Sequence, residues 1–377
     1  MAVRSIEHNK SRHRKWLVIG PLPPPIDGQS KITAAVVEVL RARGCEVRIS
    51  NTARRNLSRS IGAQLVRFFE IMWFFMAVSR YVFRPGKIYF SLSESVLGNL
   101  KDLLIYVVFF PRLRDVTAHM LGGSGMQVLL HERPLFSWIN RFFLRRLGGV
   151  IVEGRRGTQV FRNSIAPNRM HVIKNFADDC YFEGLDFPSS KFAESKPIKV
   201  VFMSNHIIEK GYLDLLHGFE MLPDDVRAQF EITFVGDFPE ERRRRSFLSR
   251  IEGNPRVKYI GRFIDGSAKV DLLRNARIFA LPTYYPFEGQ PVSILEAYAA
   301  GCFVITTLHA GIGDIFSPGE NGTEVFPRNS ASIASALAWA ATHPRAVEVM
   351  ARHNHRFALE RFRASRFRYE IAEVLKC

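Results

Sequence analysis

The sequence predicts an α/β protein built as two doubly wound halves facing a central cleft. Three observations carry that expectation. Short apolar runs alternate with helical stretches along most of the chain, the pattern of βαβ units around a parallel sheet. The series is interrupted once, at 183–197 (EGLDFPSSKFAESKP), a polar and Pro/Ser-punctuated stretch that reads as a linker. A length of 377 residues also suits two or three domains of about 150 residues each. Ligands of such sheets sit at the carboxyl ends of the strands, so the cleft between the halves is the expected site.

In the first half, strands are expected at Lys15–Gly20, Glu46–Ser50, Lys87–Leu92, Asp115–Met120, Gly149–Glu153 and Met170–Lys174. A Pro/Gly loop at 21–29 leads into a helix from Ser30 to about Arg43, and Leu135–Leu147 is a further helix. In the second half the strands are Ile198–Met203, Glu231–Val235, Val257–Ile260, Arg277–Leu281 and Phe303–Thr306. Helices are expected at Gly211–Met221, Val292–Ala300, Ser332–Ala341 and from Ala346 to the end. The domains are therefore drawn at 1–182 and 198–359, and no repeat of 20–50 residues is visible.

Composition excludes several classes. Hydrophobic residues make up 47% and charged residues 24%, so the chain is neither disordered nor low-complexity. No uncharged apolar run reaches the length of a membrane span. The four cysteines, Cys45, Cys180, Cys302 and Cys377, form no metal-binding or disulfide spacing, and a reducing cytosol is the expected compartment. The basic N-terminus has no apolar run behind it long enough for a signal peptide.

Net charge is +17, and it is unevenly spread. Residues 1–195 hold 29 Lys and Arg against 15 Asp and Glu, whereas 196–377 hold 24 against 21. That asymmetry suggests an anionic partner for the first half. The segment Phe68–Phe83 carries Glu70 and Arg80, which makes it short and charged for a transmembrane helix; a core helix or an amphipathic helix lying on a membrane suits it better. Arg54, Arg55, Arg59 and Arg67 nearby would favour anionic headgroups, and their substitution is expected to lower membrane association. Nucleic acid is not expected, since no helix-turn-helix, RNP or zinc-finger spacing occurs and Arg242–Arg245 reads as a solvated helix face.

The most informative stretch is 277–307, RIFALPTYYPFEGQPVSILEAYAAGCFVITT. A strand ends in a turn-rich loop holding Glu288, Gly289, Gln290 and Pro291, and a helix follows. Pro suits a first helical turn, whose free N–H groups and positive dipole favour a phosphate. The candidate ligands there are Val292 and Ser293. Glu288 could face a reacting group while Glu296 reaches a ribose hydroxyl pair. The competing reading of Ser293-x-x-Glu296 is a capping box, which would make Glu296 structural.

This stretch resembles the EX7E signature of retaining GT-B glycosyltransferases, and is most similar to glycosyltransferase family 4. Glu288 and Glu296 stand at its two carboxylates, with Gly289, Pro291, Leu295, Ala297 and Gly301 at matching spacing. The resemblance implies that Glu288 contacts the transferred sugar and Glu296 the nucleotide ribose. Ser204-Asn205-x4-Lys210-Gly211 resembles the family's phosphate-binding element, which implies that Lys210 binds the donor pyrophosphate; Asn205 stands where the family usually has a second cation, Arg. Pro23–Ser30 resembles the family's first loop, with Gly28 alone where two glycines are common. His119, before Gly122-Gly123, stands where many members place a His near the sugar.

What the resemblance implies is two Rossmann-like domains in the GT-B arrangement, with a last helix, within 360–377, crossing back onto the first domain. It implies transfer of a sugar from a UDP- or GDP-sugar to a hydroxyl with retention, the departing phosphate helping to deprotonate the acceptor. No Asp-x-Asp motif occurs, so no metal or other cofactor is expected; lysine and helix dipole take that role. The acceptor binds the first domain in this family. Its basic, aromatic-rich character fits a lipid-linked or lipopolysaccharide oligosaccharide at the inner membrane face, with the enzyme cytoplasmic and peripheral. The alternatives are a soluble small-molecule acceptor or a non-catalytic scaffold.

Overall fold

The computed structural model describes residues 14–24, 28–53, 75–76, 78–182, 186–193, 197–261, 264 and 266–377. The Arg54–Arg67 cluster, most of Phe68–Phe83, Pro25–Asp27 and parts of the 183–197 linker lie outside the described residues. Two six-stranded parallel sheets form the frame, one in each Rossmann-like domain of a GT-B arrangement. The first runs β2-β1-β3-β4-β5-β6, from β1 Lys15–Gly20, β2 Glu46–Asn51, β3 Lys87–Ser91, β4 Val116–Met120, β5 Gly149–Val152 and β6 Met170–Val172. The second runs β12-β11-β10-β7-β8-β9, from β7 Ile198–Met203, β8 Phe230–Val235, β9 Val257–Ile260, β10 Ile278–Leu281, β11 Phe303–Thr306 and β12 Gly322–Glu324.

Central strands are buried on both faces, which is why they read as unbroken apolar runs rather than alternating ones. Helices cover the sheets on each side. One face of the first sheet packs on Ile105, Tyr106, Phe143 and Leu144 from the helices Val96–Val108 and Pro134–Leu144. The other packs on Ile32, Val36 and Leu40 of the Gly28–Ala42 helix.

The order of strands reverses at two places. In the first sheet β1 pairs with both β2 and β3; in the second β7 pairs with both β8 and β10. A crevice opens at the carboxyl ends of strands where the order reverses. The loops after β1, β3, β7 and β10 therefore set the site.

The expected strands and the structure's strands agree to within one or two residues, with β12 an addition. The helical stretch expected from Ala346 to the end is two helices, the second of them the last helix expected within 360–377. Pro344–Arg361 ends at Phe362, whose φ of −128° and ψ of 25° leave the helix, and Ala364–Leu375 begins two residues on. At the break the chain joins the segment leaving the first domain: Ala177 N–H donates to Phe362 O at 2.8 Å, and Ala364 N–H donates to Ala177 O at 3.1 Å. The last helix then lies in the first domain's core, with Phe367 buried and its ring 4.7 Å from that of Phe176. Phe367→Ala removes that ring and should destabilise the protein by about 3–5 kcal/mol. Chemical denaturation of the two proteins side by side measures it.

Candidate active site

Lys210 is placed by a turn. The strand β7 runs out at Met203, and a short turn at Ile208–Lys210 hands over to the Tyr212–Glu220 helix through Gly211 at φ 78°. That left-handed position favours glycine, and a Cβ there would also overlap the Pro282 carbonyl. The loops after β7 and β10 are stitched together at Glu209, whose carbonyl accepts from Tyr284 N–H at 2.7 Å and lies 3.2 Å from Thr283 Oγ1. Lys210 Nζ consequently meets both oxygens of Glu288, at 2.8 and 2.7 Å. Thr283 Oγ1 donates to Glu288 Oε2 at 2.7 Å, and the Tyr285 ring centroid lies 4.8 Å from Nζ. Glu288 is only 6% exposed. Deleting one partner of such a buried pair strands the other's charge, at a cost of about 3–5 kcal/mol.

The helix after this loop is Val292–Ala299, with Pro291 in extended conformation as its N-cap. No side chain caps it, so the Ser293–Glu296 capping box is not formed. The first-turn amides of Val292 and Ser293 have no intrahelical acceptor and face the loop with the positive end of the dipole. Glu296, 1% exposed, is instead clamped by two cations: Lys31 Nζ at 2.8 Å and Lys269 Nζ at 2.7 Å, both on Oε1. Burial raises its pKa, but the two lysines outweigh that and hold it below the ordinary glutamate value. Lys31 belongs to the Gly28–Ala42 helix of the other domain and also binds Asp178 Oδ2 at 2.7 Å. Burial opposes its charge, yet Glu296 and Asp178 together hold its pKa above the usual lysine range. Lys31 thus ties the first domain to the residue expected at the ribose.

A second interdomain tie is Glu153, just past β5. Its Oε2 accepts the backbone N–H of Gly122 at 3.1 Å and of Gln290 at 2.9 Å; its Oε1 accepts Asn175 Nδ2 at 2.6 Å. Gln290 answers through Nε2 on the Glu153 carbonyl at 2.9 Å, and its own carbonyl accepts Asn175 Nδ2 at 2.9 Å. Gly289 has no room for a side chain: a Cβ would overlap the Glu153 carboxylate and the Gly122 backbone. The neighbouring Gly123 N–H donates to Glu94 Oε1 at 2.6 Å, and Gly125 N–H to Glu94 Oε2 at 2.9 Å. Burial pushes Glu153 up to about 8 and Glu94 up to about 7, against the amide bonds that favour their ionised forms.

The expected site residues separate into three groups. Glu288, Lys210, Gly289, Gln290, Pro291, Val292, Ser293 and Glu296 line one continuous stretch around the loops after β7 and β10. Asn205 shares the Lys210 loop, where its carbonyl accepts Ile207 N–H at 2.9 Å. Gly28 opens its helix and is exposed, and a Cβ would meet nothing within 4 Å, so packing does not require a glycine there. His119 is fully buried on β4, with Nδ1 2.7 Å from the Tyr89 hydroxyl and Nε2 without a partner among the described residues. Burial pushes its pKa down to about 3, so the ring is neutral at physiological pH. Lys31, Lys269, Thr283, Asp178, Asn175, Glu94 and Glu153 were not singled out from the sequence. Only Glu153, a carboxylate at the end of an expected strand, carried a visible signal. Among the described residues no cluster of His, Cys, Asp or Glu could hold a metal ion.

Fold and site define a class: a two-domain GT-B chain whose second domain, over residues 186–356, matches the family described as glycosyl transferases group 1. Among curated proteins the chain is similar to the putative colanic acid biosynthesis glycosyltransferase WcaL of Escherichia coli (strain K12), 27% identical over 150 residues, 39% of this chain and 36% of WcaL. It is similar also to the capsular polysaccharide biosynthesis glycosyltransferase CapH of Staphylococcus aureus, 27% identical over 138 residues, 35% of this chain and 37% of CapH. The alignment thus spans little over a third of these relatives' length. The whole fold is similar to that of Anabaena Alr3699/HepE in complex with UDP (TM-score 0.69, 16% identity, 96% of this chain and 99% of that one). It is similar as well to WaaG, a glycosyltransferase involved in lipopolysaccharide biosynthesis (TM-score 0.66, 13% identity, 96% and 99%).

The raised carboxyls make stability depend on pH. The unfolded Glu153 ionises at its ordinary value of 4.5, the folded one at about 8. Between these the folded state keeps a proton that the unfolded state has lost, so stability falls as pH rises through this window. The thermal midpoint should therefore decline from about pH 5 to about pH 8, and Glu153→Gln should flatten that slope. Glu94 and Asp102, also raised by burial, add to the fall, while His119 and His206, lowered by burial, oppose it below about pH 6.5. Thermal melts across the series test this, and an unchanged slope in the variant would remove the assignment.

Proposed function

We propose that this protein is a glycosyltransferase of the family 4 type that moves a sugar from a nucleotide-sugar to a saccharide hydroxyl with retention, without a metal ion. The observation that carries the reading is the Lys210–Glu288 pair between the two switch-point loops, facing the open first turn of the Val292–Ala299 helix. A diphosphate leaving group gains negative charge as its bond to the sugar breaks. Lys210 and the amides of Val292 and Ser293 stabilise that charge. Glu288 takes hydroxyls of the transferred sugar. Glu296 takes the ribose hydroxyl pair, and Lys31 gives way when it does. Asn205 contributes a neutral hydrogen bond to the phosphates, weaker than a charged one. Gly28 offers open backbone opposite.

His119 serves as a neutral hydrogen-bonding group. With the Tyr89 O–H donating to Nδ1, Nε2 carries the ring hydrogen and is the group left for the sugar. The bond from the anomeric carbon to the diphosphate oxygen breaks, the acceptor oxygen bonds the same face, and its proton passes to the departing phosphate. Uridine diphosphate sugars are the first donors to try, because Alr3699/HepE is known in complexes with UDP and with UDP-glucose. The acceptor is a lipid-linked or lipopolysaccharide oligosaccharide, met at the cytoplasmic face of the inner membrane. Among the described residues no helix is long and apolar enough to cross a membrane, and association is peripheral.

Calorimetry against UDP-, GDP- and ADP-sugars with EDTA present tests the donor. One of them should bind with metal removed. Glu288→Gln should then lower turnover by about 10²-fold or more with nucleotide affinity nearly kept. Glu296→Ala should mainly weaken nucleotide binding, and Lys210→Ala should do both. Near-normal activity in all three would refute the site. The anomeric configuration of the product, read by NMR, tests retention. Turnover on short water-soluble acceptors equal to that on lipid-linked ones would refute the acceptor class.

A further inference from the structure

Two helices of the first domain turn apolar faces to solvent. On Val96–Val108 the exposed residues are Leu97, Leu100, Leu104 and Val107, spaced three and four apart, hence one stripe along the helix. On Pro134–Leu144 they are Leu135, Trp138 and Phe142, with the same spacing. Trp138 is 71% exposed and Leu97 78%. The two helices are joined underneath: Asn99 and Asn140 exchange side-chain hydrogen bonds at 2.9 Å, and the Tyr106 and Phe143 rings stack at 5.5 Å. Their outer faces are joined as well, since Phe110 stacks on Phe142 at 6.1 Å and Trp138 on Phe142 at 6.5 Å. The stripes therefore form one apolar face. Solvent-facing apolar patches of this kind mark contact with a partner or a membrane.

Charge decides which. From Leu103 to Arg114 and from Arg133 to Val152 there is no acidic residue. Glu132 and Asp115 bound these stretches, and Asp115 is already paired with Lys87 and Arg112. Exposed cations edge the face instead: Arg114, Arg133, Arg145 and Arg146. The Arg146 guanidinium lies 3.8 Å over the Phe142 ring, at the apolar border itself. A second copy packed on this face through a two-fold axis would set two cationic rims against each other. Apolar and aromatic side chains with a cationic border suit the headgroup boundary of an anionic bilayer.

We infer that the outer face of the Val96–Val108 and Pro134–Leu144 helices is the surface by which this protein seats on an anionic lipid bilayer. The inference deepens the membrane-bound acceptor proposed above and rests on that reading for its purpose, though its geometry is independent of the transfer site. Both helices follow loops of the first domain that border the cleft: Ser95, which caps the first, adjoins Glu94, and Glu94 holds the Gly123 and Gly125 amides. Seated this way, the first domain lies on the bilayer beside its own acceptor side.

The test is co-sedimentation of the full-length protein with phosphatidylglycerol-containing vesicles and with pure phosphatidylcholine vesicles, at low and high salt. Binding should need the anionic lipid and weaken with salt. The double variant Leu104→Ser/Trp138→Ser should lower the partition coefficient at least about tenfold. Arg145→Gln/Arg146→Gln should lower it and reduce the salt dependence. Both variants should keep nucleotide binding and the oligomeric state of the parent. Undiminished vesicle binding by Leu104→Ser/Trp138→Ser would overturn the inference. So would a dimeric parent that this variant turns into a monomer with vesicle binding intact, since a second copy would then own the face. If the parent binds vesicles through this face but transfers no sugar, the functional reading fails and the surface stands.

Discussion

The carboxyl group of Glu153 carries an unusual share of the architecture. Three N–H donors from separate segments converge on it: Gly122 past β4, Asn175 past β6 and Gln290 past β10. Two of those segments belong to one domain and the third to the other. The group is buried, so it holds its proton well into the neutral range while still receiving those bonds. Because Gln290 lies two residues from Glu288, whatever fixes Gln290 also fixes the reach of Glu288 toward Lys210. A Cβ on Gly289 would overlap the Glu153 carboxylate and the Gly122 backbone, and one on Gly122 would overlap the Glu94 carboxylate. The site is thus assembled by closure of one domain on the other.

The same interface carries an ionic tie at Glu296. Its buried carboxylate is held by Lys31 from the first domain and Lys269 from the second, both on Oε1. Lys31 also bridges to Asp178, so one side chain links three segments. The Lys210–Glu288 pair is different. Both partners come from the second domain, so the pair does not depend on the contact between domains.

The strands and the Glu288–Glu296 motif were legible in the sequence because their signals are local. A run such as Ile278–Leu281 is apolar throughout because both of its faces are covered, and the glycine after the Val292–Ala299 helix marks that helix's end. What was hidden depended on contacts across the chain. Lys31 reads as one more lysine on an amphipathic helix; only the approach of Glu296, 265 residues away, gives it a role. The break at Phe362 has no cause in the local pattern, which is helical on both sides of it; the cause is a backbone bridge to Ala177. The exposed apolar face of Val96–Val108 was equally invisible, since this helix buries its polar residues Asn99 and Asp102 and turns leucines outward, the reverse of the usual pattern.

The return of Ala364–Leu375 to the first domain has a consequence for synthesis. A chain emerging from the ribosome completes the second domain's six-stranded sheet while the first still lacks Phe367, Ile371 and Leu375 from its core. One side of the Gly28–Ala42 helix stays uncovered until Ala364–Leu375 is released. The domain that is made first is therefore completed after the second, and a chain cut short before Ala364 would keep an intact second domain and an unsealed first one.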